Sequence, residues 1–167
     1  MLAEIAIERQ KLVEIPSLDD SDRRILRSLV RNGRISIHDL SADVGLSPSP
    51  VSRRVRLLQE AGVIEGYTAQ LDEGALGYGF SVFVSVKLEQ QVDEAMARFE
   101  AAIQNRPEVV DCWLMTGNRD YLMRIAARDL QDFERFLVGH LTKIPGVSSI
   151  ESSIPLRRVK AGVSRTE

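Results

Sequence analysis

The residues that most constrain the fold are 46–58, which read "LSPSPVSRRVRLL" and carry two prolines two positions apart. Proline in the interior of a helix costs about 3 kcal/mol, so these two cannot lie in the middle of one. If Ser47 is an N-cap, Pro48 and Pro50 fall at the first and third helical positions, where backbone N–H groups have no intrahelical partner in any case. The prolines therefore predict the start of a helix, about Pro48–Ala61.

Two shorter helices are predicted ahead of it. The first, about Asp20–Arg31, begins among acidic residues and ends before an Asn-Gly pair. The second, about Ile37–Val44, has a capping-box-like start at Ser36 and ends at Gly45. Two helices joined by "GLS", the second with an arginine-bearing outer face, are typical of a helix-turn-helix motif. Periodicity alone equally allows a small three-helix module with a solvated charged face.

The outer face of the third helix carries the residues expected to contact DNA. In a helix-turn-helix motif the second helix enters the major groove, and its N-terminal residues reach base edges. Arg53 and Arg56 are predicted to contact bases or phosphates. Arg54 lies nearer the buried side, where a phosphate contact and a scaffold salt bridge are both open. Serine hydroxyls at the helix start suit phosphates, although Ser47 is expected to act more as a cap. The candidate DNA-binding residues are Ser47, Ser49, Ser52, Arg53, Arg54 and Arg56.

The segment after this helix alternates apolar and polar residues. Residues 63–71 are rich in residues that favour strands, and they predict one strand or a short hairpin wing. Three glycines between Asp72 and Gly79 then mark a domain boundary.

The C-terminal half alternates strand and helix patterns in the order β-α-β-β-α-β, which is the ferredoxin-like split unit. The two central strands are joined by a tight hairpin at Gly117, Asn118 and Arg119. The second helix is expected to begin after Asp129 and to run to Ile144, and the last strand to end near Pro155. This fold leaves one sheet face without helices, so a homodimer that buries this face is expected.

Composition argues against several function classes. The formal net charge of −2 does not by itself indicate a nucleic-acid binder. The single cysteine, Cys112, is expected to be a buried small hydrophobe on a strand, and the two histidines are far apart in sequence. The sequence shows no metal-ligand cluster, phosphate loop or catalytic constellation, so no cofactor, no metal and no enzyme activity are expected. No apolar run is long enough to span a membrane and no signal peptide begins the chain, which favours the cytoplasm.

Taken together, the motifs resemble the Lrp/AsnC, or feast/famine, family of bacterial and archaeal transcription regulators. The matching segments are "LDDSDRRIL", "NGRIS", "LSPSPVSRRVRLLQEAGVIEGYTA", "LMTGNRDYLMRI" and "IPGV". The resemblance implies an α+β chain, with an N-terminal winged helix-turn-helix and a C-terminal ferredoxin-like regulatory domain that dimerises and often forms larger rings. It implies double-stranded DNA as a partner, and a small effector, usually an amino acid, bound between dimers.

The resemblance also places the effector near the "TGNRDY" hairpin. The residues at this position are Thr116, Gly117, Asn118, Arg119, Asp120 and Tyr121. The Asp120 carboxylate is expected either to take the ammonium group of an amino acid or to bond backbone N–H groups of the turn. Two other functions remain open: an architectural DNA-binding protein that needs no effector, and a metabolite-binding module without DNA recognition.

The predicted layout has five parts. They are an N-terminal extension (1–16), a winged helix-turn-helix domain (17–65), a linker strand and turn (66–79), a ferredoxin-like effector-binding and oligomerisation domain (80–160) and a tail (161–167).

Overall fold

The computed structural model of the chain describes residues 17–161. The extension predicted for residues 1–16 and residues 162–167 of the predicted tail lie outside the described residues. The chain divides into two compact units, one ending at Ala69 and the other comprising Gln70–Lys160. Among residues 17–161, every helix is too short or too polar to span a lipid bilayer.

The first unit contains three helices: α1 (Asp20–Arg31), α2 (Ile37–Val44) and α3 (Pro48–Glu60). These bounds match the predicted ones, except that α3 ends one residue earlier, with Ala61 as its C-cap. Local caps explain the agreement. Asp19 and Asp22 form a reciprocal capping box at α1, and the Ser36 hydroxyl accepts the Asp39 N–H at α2. The left-handed φ of 69° at Gly45 ends α2.

The core of this unit is built from the apolar stripes of the three helices, as the periodicity predicts. Its buried members are Ile25, Leu40, Val44, Val51, Val55 and Leu58. Polar contacts add to the packing between α1 and α2, because the buried Ser28 hydroxyl donates to Asp43 Oδ2 at 2.5 Å. Arg31 donates to the same carboxylate oxygen at 3.0 Å.

The strand or hairpin wing predicted over residues 63–71 is not formed within the described chain. The N–H groups of Val63 and Ile64 both donate to the Leu58 carbonyl, at 2.9 and 3.1 Å, and fold the chain back on the helical core. Beyond them, residues 65–71 pair with no segment of residues 17–161 and form no strand. Alternating residues give a segment the pattern of a strand, but a strand also needs a neighbouring backbone that accepts its hydrogen bonds.

The second unit confirms the ferredoxin-like prediction. Its elements are β1 (Phe80–Leu88), α4 (Asp93–Gln104), β2 (Val109–Leu114), β3 (Tyr121–Ala127), α5 (Leu130–Gly139), a 3₁₀ turn (Leu141–Lys143) and β4 (Val147–Ser153). The four strands form one antiparallel sheet in the order β2-β3-β1-β4. The helix predicted through Ile144 stops at Gly139, because His140 leaves helical geometry with φ −129° and ψ −61°.

Helices pack on only one of the two faces of the sheet. One packs under the helices, and its buried strand residues are Val82, Val84, Val86, Leu88, Tyr121, Met123, Ile125 and Ala127. Cys112 pairs with Met123 and so lies on this side, but it is exposed, which corrects the prediction that it is buried. The reason is that β2 is an edge strand. The other face carries Trp113, paired with Leu122, and Phe83.

Candidate DNA interface and effector region

The outer face of α3 presents the predicted DNA-contact residues together. Ser47, Ser49, Ser52, Arg53 and Arg56 are all exposed. They are positioned by the opposite face of the helix, where Val51, Val55 and Leu58 are buried in the core. The first turn of α3 contains no acidic residue, so the partial positive charge of the helix N-terminus is not neutralised there.

Arg54 lies apart from that face and acts as a scaffold group in this structure. Its Nη1 lies 2.7 Å from Asp22 Oδ1 and 2.8 Å from Asp19 Oδ2, so it binds both members of the α1 capping box. These hydrogen bonds, first to Asp22 and then to Asp19, raise the pKa of the Arg54 guanidinium further above its usual value. The sequence left two roles open for Arg54, a phosphate contact and a scaffold salt bridge. The structure shows the salt bridge.

Ser47 occupies the N-cap position, but its side chain makes no capping hydrogen bond, which corrects the prediction that it acts more as a cap than as a contact. The third helical residue is Pro50, which has no N–H, so the usual capping bond to that position is unavailable.

The two exposed arginines are lightly restrained. Arg56 lies 3.8 Å from Glu60 across one helical turn, and both side chains are more than half exposed. Such a surface pair contributes little and competes weakly with a phosphate. For Arg53, residues 17–161 provide no ion-pair partner. Both guanidinium groups are therefore available to an incoming anion.

The predicted effector residues meet in the loop between β2 and β3. The Met115 N–H donates to the Asp120 carbonyl at 2.8 Å and closes the loop. Thr116, Gly117 and Asn118 at its tip are exposed. Gly117 has a φ of 112°, a conformation that residues with a side chain rarely adopt, so glycine is required here by the turn itself.

Asp120 is only 4% exposed, and its carboxylate is already engaged within the protein. The Leu88 N–H donates to Oδ2 at 2.7 Å, and the Gln91 side-chain amide donates to Oδ1. The Asp120 N–H in turn donates to the Val86 carbonyl at 2.9 Å. Asp120 thus joins the hairpin loop to the end of β1 and to the segment that leads into α4.

Tyr121 is buried on the helix side of the sheet at 1% exposure. Its hydroxyl donates to Glu100 at 3.0 Å, and its ring stacks on Phe99 with the centroids 4.5 Å apart. Burial, and then the hydrogen bond to Glu100, raise the pKa of the phenol above its usual value. The Tyr121 side chain therefore anchors the start of β3 to α4.

Arg119 extends along the opposite face of the sheet toward β4. It donates to the Ser149 hydroxyl at 2.8 Å and to Glu151 at 2.5 Å. Arg119, Asp120 and Tyr121 therefore attach the loop to three different parts of the unit, and Thr116, Gly117 and Asn118 are the residues that face outward. Within residues 17–161, no group of three or more His, Cys, Asp or Glu side chains is placed to hold a metal ion.

Comparison with known proteins covers both units. Residues 18–65 match a winged helix-turn-helix DNA-binding model, and residues 81–164 match the Lrp/AsnC ligand-binding domain. The Bkd operon transcriptional regulator of Pseudomonas aeruginosa is 48% identical over 142 residues, which are 85% of this chain and 93% of that protein. The chain belongs to the Lrp/AsnC family of transcription regulators.

Other Lrp/AsnC proteins agree in sequence and fold. The leucine-responsive regulatory protein of Rhizobium meliloti is 39% identical over 143 residues, which are 86% of this chain and 92% of that protein. A transcriptional regulator of Neisseria meningitidis, solved as a complex with L-Met, superposes with a TM-score of 0.85 at 34% identity. That comparison covers 89% of this chain and 96% of the other.

Three residues that hydrogen-bond to the β2–β3 loop of this Lrp/AsnC protein were not predicted from the sequence. Gln91, Ser149 and Glu151 contact Asp120 or Arg119 from parts of the chain 29 to 32 residues away. No sequence motif marks them, because each lies in a loop or strand outside any recognised motif. The one partial signal is strand geometry, since residues two apart on β4, such as Ser149 and Glu151, share a sheet face.

Proposed function

We propose that this Lrp/AsnC regulator binds specific double-stranded DNA through Arg53, Arg56, Ser49 and Ser52 on α3. The observation that carries the proposal is the contrast between neighbouring arginines. Arg54 is fixed to the N-terminus of α1, whereas Arg53 and Arg56 are exposed on the helix face opposite the core. A helix packed into the core through Val51, Val55 and Leu58 that presents exposed bidentate donors suits guanine edges and phosphates.

Ser47 is proposed as an additional phosphate contact. Since its hydroxyl makes no capping bond, it can donate to an anion at the helix N-terminus, together with the nearby backbone N–H of Ser49. As a protein that acts on DNA, the chain is proposed to work in the cytoplasm, as a regulator and not as an enzyme.

DNA binding is tested with fluorescence anisotropy on DNA upstream of the protein's own gene. Arg53→Ala and Arg56→Ala are each expected to weaken specific binding by about 1–3 kcal/mol if the side chain reads a base. The control is Arg27→Ala, since Arg27 is an exposed arginine of α1 in the same unit. Unchanged affinity in both α3 variants would refute the assignment of α3 as the recognition helix.

The effector is proposed to be an amino acid that binds at the exposed tip of the hairpin loop, where Thr116, Gly117 and Asn118 offer a hydroxyl, backbone N–H groups and an amide. The L-Met complex and the leucine-responsive relative make Met and Leu the first ligands to test. Because both oxygens of the Asp120 carboxylate already accept hydrogen bonds, we place Asp120 as a residue that positions the loop, together with Arg119 and Tyr121.

The effector is tested by thermal melting with each of the twenty amino acids. A ligand at a hundred times its Kd stabilises by about 2.7 kcal/mol, which moves the melting temperature by several degrees. Thr116→Ala and Asn118→Ala are expected to reduce the response, and Ser81→Ala on β1 serves as the control. If no amino acid shifts the melt, the architectural function that needs no effector gains support.

A homodimer is proposed on the helix-free sheet face. That face carries Trp113, which is 45% exposed, beside its paired residue Leu122, and Phe83 lies on the same face. Apolar side chains grouped on one open face gain from being covered by the same face of a second copy. Assemblies larger than a dimer, tetramers or octamers, are proposed from the family resemblance.

A further inference from the structure

A cavity of about 250 Å³ lies among the helices of the second unit. The C-terminal half of α4 forms one wall, and the end of α5 with the following 3₁₀ turn forms the other. Its floor is apolar, with Ile103, Phe136 and Leu141 all buried. None of its lining residues belongs to the hairpin loop proposed for the effector.

The rim of this cavity is cationic. Arg98, Arg106 and Lys143 line it beside the imidazole of His140, and no carboxylate does. This is unexpected in a chain whose 24 acidic residues outnumber its 22 lysines and arginines. Arg98 is paired with Glu94 at 2.8 Å, whereas no ion pair to Arg106 or Lys143 is present among residues 17–161. Two cations therefore face the cavity without a neutralising partner in the described chain.

The shape and charge together define a ligand class. A cavity of this size is below the usual range for drug-sized molecules, so it fits a small metabolite. The apolar floor favours an aliphatic group, and the rim favours a negative charge that accepts charge-assisted hydrogen bonds from Arg106 and Lys143. We propose that this cavity is a second ligand site, separate from the hairpin loop, for a small carboxylate with an aliphatic tail.

The proposal is tested with hexanoate as the probe and hexanamide as its neutral counterpart. In full-length protein with labelled isoleucine δ1 methyl groups, NMR reports on the site directly, because Ile103 and Ile144 line the cavity. Hexanoate is expected to shift these two methyl signals and to leave those of Ile37 and Ile154 in place. Hexanamide is expected to bind about tenfold or more weakly, since it lacks the charge.

Two variants and one control locate the binding. Arg106→Gln with Lys143→Gln removes the rim charge and is expected to weaken hexanoate binding about tenfold or more. Ala102→Leu narrows the cavity from the α4 side and is expected to abolish the shifts without changing any charge. The control replaces Arg157 and Lys160, two exposed cations of the same unit, with glutamine and is expected to leave binding unchanged.

Four results would overturn the proposal. They are the absence of shifts at Ile103 and Ile144, equal binding of acid and amide, an equal effect of inorganic phosphate, and binding that survives both cavity variants. Sedimentation of the rim variant distinguishes a further case. If its oligomeric state changes, the cavity is a contact between copies and the assignment of a ligand site is wrong.

Discussion

At the scale of single residues, three arginines of α3 have different roles because of where the helix turns them. Arg53 and Arg56 point away from the core, and Arg54 reaches back to α1. The carboxylates that it binds also cap that helix, with the Asp22 N–H donating to Asp19 Oδ1 at 2.9 Å. One guanidinium thus supports both a helix start and the placement of the neighbouring helix.

Replacing Arg54 with methionine is expected to lower the melting temperature by several degrees. The substitution removes a cation from Asp22, whose side chain is only 14% exposed, and leaves a poorly hydrated carboxylate. Circular dichroism melting of Arg54→Met measures the effect, with Arg53→Met as the control. Equal melting temperatures for the two variants would contradict the scaffold role.

Asp19 gives the first unit a sensitivity to acid. The Asp22 N–H and then Arg54 hold the pKa of the Asp19 carboxyl below its ordinary value of 3.8. The ionised form is therefore favoured in the folded protein. Its contribution to stability is complete above pH 3.8 and is lost as the pH falls from there through the lowered pKa. Melting of wild type and Asp19→Asn between pH 6 and pH 2.5 is expected to show curves that converge in acid. Parallel curves would argue against this assignment.

At the scale of secondary-structure elements, the β2–β3 hairpin has an exposed tip, residues 116–118, and a base, residues 119–121, that is hydrogen-bonded to the rest of the unit. Asp120 bonds to β1 and to the segment before α4, Tyr121 to α4, and Arg119 to β4. A ligand bound at the proposed tip site would therefore contact a loop whose base is hydrogen-bonded to β1, β4 and α4.

Asp120→Ala is expected to destabilise the second unit by about 1–3 kcal/mol, because it leaves the buried Leu88 N–H without an acceptor. Hydrogen exchange measured by NMR is expected to show faster exchange at Leu88 and through the loop. Asn118→Ala, at the exposed tip, serves as the comparison and should leave both exchange and stability unchanged. Slow exchange at Leu88 in the Asp120 variant would show that another group holds the base of the loop.

At the scale of the whole molecule, a single copy leaves apolar surface open on both sides of its edge strand. Trp113, Leu114 and Met115 are each more than 40% exposed, and Cys112 is exposed beside them. These four residues form a continuous apolar run, and the sequence predicts burial for Cys112 because it shares a strand face with Leu114. A second copy on the helix-free face would cover Trp113, whereas Cys112 and Leu114 lie on the helix side.

Leu122→Glu is expected to shift the protein toward the monomer, because it places a charge in the middle of the proposed dimer face. Light scattering after size exclusion measures the mass of the assembly. Leu130→Glu is the matched control, since Leu130 is 59% exposed on α5, which covers the opposite face of the sheet. An unchanged mass for Leu122→Glu would place the dimer contact elsewhere.

The amino-acid sequence was sufficient to predict the helices of the first unit, the order of elements in the second unit, and the family. Caps such as Ser36, prolines such as Pro48 and left-handed glycines such as Gly45 act within one turn of chain, so their effect can be predicted from neighbouring residues alone. The periodicity of apolar residues likewise predicted which helix faces are buried, because a helix that buries one face needs apolar residues every three to four positions.

The partners of the polar side chains depend on the three-dimensional fold and could not be predicted. Arg54 donates a hydrogen bond to Asp22, and the Asp120 carboxylate accepts one from the Leu88 N–H. In each case the two residues are 32 positions apart along the chain. The wing is a second example. Residues 65–71 have the pattern of a strand, but the pattern cannot show whether a neighbouring strand is present, and none pairs with them in the described chain. Hydrogen bonds and ion pairs form between groups that are close in space, whatever their separation along the chain. The pattern of neighbouring residues therefore cannot predict which groups will be partners.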